Sequence, residues 1–172
     1  MEVEAKFPYR EGVEEKVREI AELVVEKLEE DVYFSHPCRD FAASDEALRL
    51  RRDVEGVKLT YKGPKVDVET KSREEVNVGV EDFERAKLLL LKLGFREFAR
   101  VRKLRKIYRL GDAIVCIDDV EGLGRFVEVE VEGGIEKKEK VFEIAASLGY
   151  ARDESITKSY LEMLMERRRL RR

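Results

Sequence analysis

The sequence predicts an α+β fold in which antiparallel strands curl into a closed barrel and helices pack on its outside. Three observations lead there. Period-two segments recur along the chain, nearly all with one charged and one apolar face. Segments with apolar residues every three or four positions separate groups of them. The strand charges are also sorted by sign: "EVEAK" and "VEVEVE" carry acids, "LRLRR" and "RKLRK" carry bases. A solvated sheet mixes signs as cross-strand pairs. Strands sorted by sign suit acids and bases that face each other across an enclosed space. Closure removes exposed edges, and helices outside account for outward apolar faces.

The elements follow in order. "MEVEAKF" alternates Glu2, Glu4 and Lys6 with Val3, Ala5 and Phe7 and reads as a strand. "GVEEKVREIAELVVEKLEEDVYF" repeats Val13, Val17, Ile20, Val24 and Leu28 at helical spacing, which predicts one long amphipathic helix. Strands then come from "EALRLRR", with Arg49 and Arg51 on one face, and from "VKLTYKG", with Lys58, Thr60 and Lys62 together. "VETKSREEVNV" predicts a strand with Glu69, Lys71, Arg73, Glu75 and Asn77 on one side. "VEDFERAKLLLLKLG" predicts a helix stopped by Gly94. "VRKLRKIYRL" sets Lys103 and Arg105 opposite Leu104 and Tyr108. "DAIVCIDDV" is mostly apolar and ends in Asp118 and Asp119. "GRFVEVEVEG" opposes Val127, Val129 and Val131 to Glu128, Glu130 and Glu132. "EKKEKVFEIAASLGY" predicts a helix stopped by Gly149, and "ITKSYLEMLMERRRLRR" a last helix with basic residues at its C-terminal end. The order suggests two similar halves within a single domain spanning residues 1–172.

Composition bounds the function. Charged residues make up 42% of the chain, with no Gln and a single Asn, Asn77, a bias resembling that of proteins from hot environments. A net charge of −3 argues against a nucleic-acid partner. Without an apolar run of membrane length or a signal-like start, the expected location is cytoplasmic, with no membrane partner. Cys38 and Cys116 form no C-x-x-C, and His36 is the sole histidine, which excludes a structural zinc site.

Carboxylates at i and i+2 of a strand point the same way, and two such pairs offer oxygen ligands for a hard divalent cation. Arg and Lys opposite them can grip phosphate oxygens by charge-assisted hydrogen bonds. Glu2, Glu4 and Lys6 fit an E-x-E-x-K pattern. "LRLR", "YKGP", "SREE", "RKLRK" and "CIDDVEGLGRFVEVE" follow it over nearly the whole chain. In these motifs the sequence resembles the CYTH superfamily of triphosphate tunnel metalloenzymes. "DVYFSHP" and "DDVEGLGRFVEVE" look most like its class IV adenylate cyclase branch. The resemblance implies eight antiparallel strands forming a tunnel that binds a triphosphate with Mg²⁺ or Mn²⁺. Carried over by position, Glu2, Glu4, Asp118, Glu128 and Glu130 become the metal side, with Glu75 as an outlying member. Lys6, Arg49, Arg51, Lys62, Arg73, Lys103 and Arg105 become the triphosphate side. Lys58, Lys71 and Arg109 stand as substitutes should a strand slip by one residue.

The implied substrate is ATP, converted to cyclic AMP and pyrophosphate. One alternative is hydrolysis of thiamine triphosphate, tripolyphosphate or a nucleoside triphosphate. A second is a non-catalytic polyphosphate or triphosphate sensor, and a homodimer is compatible with all three. Tyr33 and Phe34 read as core anchors entering a strand, "GLGR" as a turn, and the basic tail as a solvated helix end. Tyr160 and Lys158 are read on the final helix, whose phase does not fix whether they reach the tunnel.

Overall fold

The computed structural model describes residues 1–172. Eight strands form one antiparallel sheet: β1 (Glu2–Pro8), β2 (Glu22–Ser35), β3 (Ala47–Asp53), β4 (Gly56–Lys62), β5 (Glu75–Val80), β6 (Arg96–Leu110), β7 (Ala113–Val120) and β8 (Gly124–Glu132), in the spatial order β1-β8-β7-β6-β2-β3-β4-β5. The helices are α1 (Val13–Ile20), α2 (Phe41–Ser44), α3 (Phe83–Lys92), α4 (Lys138–Ser147) and α5 (Tyr160–Leu170). The long strands β2 and β6 pair at the centre and divide the sheet into two four-stranded halves. α3 packs against β3 and β6, and α4 against β1 and β8. Gly94 and Gly149, at φ 98° and 93°, follow α3 and α4 in a backbone region that side chains resist, so both predicted stops hold.

The apolar faces point outward under helices. Val3, Ala5 and Phe7 of β1, Val115 of β7 and Val127, Val129 and Val131 of β8 are buried with Val13 and Val17 of α1 and Val141, Ile144 and Ala145 of α4. The same alternation turns Glu4, Lys27, Glu29, Arg49, Lys103, Arg105 and Glu128 to the other face, where they too are buried. Burying so much charge is tolerable only where ions pair or a charged ligand enters.

Three expectations need correction. The helix predicted over residues 12–34 ends at Ile20. Ala21 is extended (φ −138°, ψ 157°), and Glu22–Ser35 is the central strand. Val24 and Leu28 continue the helical spacing, but Lys27, Glu29, Asp31 and Tyr33 also alternate with Leu28, Glu30, Val32 and Phe34. Pairing with both β3 and β6 selects the second period. The strand predicted over "VETKSREEVNV" begins only at Glu75, and the residues before it form an irregular crossing segment. The third correction concerns closure: no continuous ladder joins β5 to β1. The gap is spanned by an isolated Glu2–Arg73 bridge and by the Lys71 amide donating to the Glu4 carbonyl at 2.9 Å. No helix is long and apolar enough to cross a membrane. Cys38 is exposed and Cys116 buried, both free thiols.

Candidate active site

The concave face of the sheet lines a cavity of about 590 Å³, reached by side chains from all eight strands and covered in part by α5. Strand pairing sets the acids. Glu4 on β1 lies opposite Glu130 on β8, and Glu2 is one pleat further along the same face. Carboxylate oxygens of Glu2, Glu4 and Glu130 all fall within 4.8 Å of one another. Burial, with Glu4 and Glu75 nearby, pushes Glu2 up to about 7. Burial beside Glu2 and Glu4 drives Glu130 well above the usual carboxylate range. Only Glu4 of the three has a close cation, the Lys71 ammonium at 2.7 Å. Three convergent oxygen donors short of positive charge fit a hard divalent cation, and these are the residues that would hold it.

The other acids expected on the metal side are compensated by cations. Glu128 lies 3.0 Å from Arg105 and 3.8 Å from both Lys6 and Lys71. Burial would raise Glu128, but Lys71, Arg105 and Lys6 together hold it well below its usual range. Asp118 is fully buried outside the cavity lining. Its two oxygens accept Arg105 Nε and Nη2, each at 2.7 Å, and one also accepts the Tyr160 hydroxyl at 2.6 Å. Glu75 lines the cavity 3.0 Å from Lys62. Burial opposes its ionisation, yet Lys62 and Arg49 bring it down to about 2.

The basic set divides in the same manner. Arg51 forks onto Asp31 at 2.7 and 2.8 Å, and Lys103 sits 3.1 Å from Glu29. Burial alone would raise Glu29, but Arg105, Lys103 and Arg51 hold it at about 2. Arg49 and Arg73, by contrast, line the cavity at 6% exposure with each Nε left without a partner. The only acid at Arg73 is the half-exposed Asp45, at 3.2 Å, and no carboxylate lies within ion-pair distance of Arg49. An unpaired buried guanidinium favours an anion in the adjoining space. Lys6 stays outside the cavity lining, donating to the Lys158 carbonyl at 2.7 Å beneath the Tyr160 ring. Of the substitutes, Lys58 and Lys71 line the cavity, whereas Arg109 is exposed elsewhere.

Sequence reasoning missed Lys27, Glu29 and Asp31, because their strand was read as a helix. Their i, i+2, i+4 spacing was the available signal. Tyr160 joins the site through both its hydroxyl and its ring, and only its place at the start of the last helix hinted at this. Phe34 is a core anchor and Tyr33 packs half-buried against the Val101, Val120, Phe126 and Tyr160 cluster, while both also line the cavity. "GLGR" is the β7–β8 turn and the basic tail an exposed helix end.

The geometry can be set beside known proteins. The chain is 41% identical over 169 residues to "Putative adenylate cyclase MJ0240" of Methanocaldococcus jannaschii, covering 95% of this chain and 97% of the other. It is 31% identical over 139 residues to "Adenylate cyclase CyaB" of Aeromonas hydrophila, covering 77% and 70%. Among solved structures, the PH1819 protein of Pyrococcus horikoshii superposes with a TM-score of 0.90 at 40% identity, covering 97% and 99%. At 18% identity and a TM-score of 0.62, covering 87% and 88%, the HpAC1 protein of Hippeastrum shares the fold; it is described as having a dominant triphosphatase activity. The CYTH domain model matches residues 1–160, so both charged walls of the cavity and the tyrosine that joins them fall inside the match. The chain therefore belongs to the CYTH domain family.

Proposed function

We propose that the protein is a metal-dependent enzyme acting on the triphosphate of ATP, with the class IV adenylate cyclase reaction as its chemistry. One observation carries the reading: a single cavity holds acids without a counter-cation, Glu2 and Glu130, and a base without a counter-anion, Arg49. A cation bound to a polyphosphate would complement both at once.

In this reading Glu2, Glu4 and Glu130 hold Mg²⁺ or Mn²⁺. When bound, the ion supplies positive charge against the phosphate oxygens and lowers the pKa of a coordinated hydroxyl. Arg49 and Arg73 bind phosphate oxygens through their free N–H groups, with Lys62 beside them. Arg51, Lys103 and Arg105 are held in place by Asp31, Glu29 and Asp118, so their N–H donors are oriented before the substrate enters. The ribose 3′-hydroxyl gives its proton to solvent as its oxygen bonds to the α-phosphorus, the bond from that phosphorus to the bridging oxygen breaks, and pyrophosphate leaves with the electron pair. The basic wall orients the leaving group in line and stabilises its growing charge. α5 covers part of the cavity and limits the water that competes with the hydroxyl.

The same residues would serve hydrolysis if water reached the phosphorus, and the activity described for the Hippeastrum relative favours keeping that second reading. Incubation with ATP, thiamine triphosphate or tripolyphosphate, each with Mg²⁺ or Mn²⁺, separates the two. Cyclic AMP with pyrophosphate is the expected product. Orthophosphate alone would replace the cyclase with a hydrolase, and the absence of any product would overturn both.

A further inference from the structure

Asn77 is the only asparagine in a chain with no glutamine. Neutral amides hydrolyse at high temperature and are scarce in heat-adapted sequences. The one retained here lines the cavity. It sits on β5 in a continuous row of paired residues: Tyr33 opposite Arg49, Arg49 opposite Thr60, and Thr60 opposite Asn77. Thr60 is fully buried, and its hydroxyl donates to Asn77 Oδ1 at 2.7 Å. That bond occupies the amide oxygen and fixes the side-chain plane, leaving the NH₂ donors for whatever enters.

The position argues against a phosphate contact. Arg49 and Arg73, which carry charge, are buried, whereas Asn77 is exposed at the lip of the cavity on an edge strand. Glu75, two residues away on the same face, already occupies Lys62 at 3.0 Å, so that cation is not free to hold a phosphate beside Asn77. A neutral, oriented donor at the wet end suits a neutral acceptor on the part of the substrate beyond its phosphates.

Building on the triphosphate reading above, we infer that Asn77 is a specificity-determining residue that donates to a hydroxyl or ring-nitrogen acceptor of a nucleoside, and that the cavity selects nucleoside triphosphates over inorganic tripolyphosphate. Thr60 is a positioning residue acting through it.

The test compares binding of ATP and of tripolyphosphate, each with Mn²⁺, by calorimetry for the wild type, Asn77→Ala and Thr60→Val. Asn77→Ala should weaken ATP binding roughly three- to tenfold, the loss of one hydrogen bond in a partly wet site, and leave tripolyphosphate within about twofold. Thr60→Val should show a smaller loss with the same selectivity. Equal losses for both ligands, or no loss for ATP, would overturn the inference. Wild-type protein that binds tripolyphosphate but not ATP would overturn it while leaving the triphosphate reading intact. Binding of neither would sink that reading itself.

Discussion

Two arginines on one strand should respond to the same substitution with opposite signs. Arg49 and Arg51 share a face of β3, and sequence alone treats them alike. In the structure Arg51 is neutralised by the bidentate contact with Asp31 at 2.7 and 2.8 Å and by Glu29 at 3.1 Å. Arg49, at 6% exposure, has no carboxylate within ion-pair range and an unpartnered Nε. Methionine keeps much of either side-chain stem while removing the charge. Arg51→Met leaves Asp31, itself 2% exposed, with only the Lys103 ammonium at 3.5 Å in place of its bidentate partner, and should cost about 3 kcal/mol, the lower end for breaking a buried pair. In a domain of this size that lowers Tm by roughly 6–12 °C. Arg49→Met removes a buried charge that no carboxylate contacts, and Glu75 keeps its Lys62 partner at 3.0 Å, so Tm should hold or rise by roughly 2–4 °C, the equivalent of about 1 kcal/mol. Ligand affinity should move oppositely. Losing two charge-assisted bonds to phosphate at about 1.5 kcal/mol each weakens tripolyphosphate binding about 100-fold at low salt. Thermal melts of the apoprotein and calorimetric titration of both variants provide the readout. If Arg49→Met destabilises the fold as much as Arg51→Met, or binds tripolyphosphate within twofold of wild type, the division into free and tied bases is wrong.

Other expectations follow from the same geometry. Tyr160→Phe deletes the buried hydroxyl that donates to Asp118 at 2.6 Å and should cost about 1–1.5 kcal/mol and lower turnover by loosening Arg105; an unchanged Tm and turnover would contradict this. Mn²⁺ binding should tighten as pH rises from 6 to 8. Glu2 is pushed up to about 7, so below that value a proton competes for the site, and calorimetry in buffers of different ionisation enthalpy should count protons released; a flat affinity across that window would remove the cation from the acidic trio. Glu29 is held at about 2 against an ordinary 4.5. Its contribution, about 3 kcal/mol, is therefore present above pH 4.5 and lost as pH falls toward 2. Glu29→Gln should flatten acid unfolding in that window, and an unaltered acid profile would show that other carboxylates govern it.

Period-two alternation was strong enough in β1, β3, β4 and β8 to assign the inward face of each, and the register bears this out residue by residue. It failed at β2, where Val24 and Leu28 satisfy both periods and only pairing with β3 and β6 selects the strand. That error hid Lys27, Glu29 and Asp31, and with them the difference between bases held by acids and bases left free. Glu128 lies on the face that alternation gave it, but which acid meets a cation depends on shear between strands, which no local pattern records. Lys6 follows the alternation and is still walled off from the cavity, because Tyr160 arrives from a distant helix and covers it.

The central claim is that the uncompensated acids Glu2 and Glu130 and the uncompensated Arg49 of one cavity, together with Arg73, are bridged by a cation on a triphosphate. A crystal structure with Mn²⁺ and a non-hydrolysable ATP analogue tests it most directly. The account predicts anomalous density for manganese among Glu2, Glu4 and Glu130, with phosphate oxygens within hydrogen-bond distance of Arg49 and Arg73. Manganese bound elsewhere, or a phosphate chain lying away from both arginines, would contradict it.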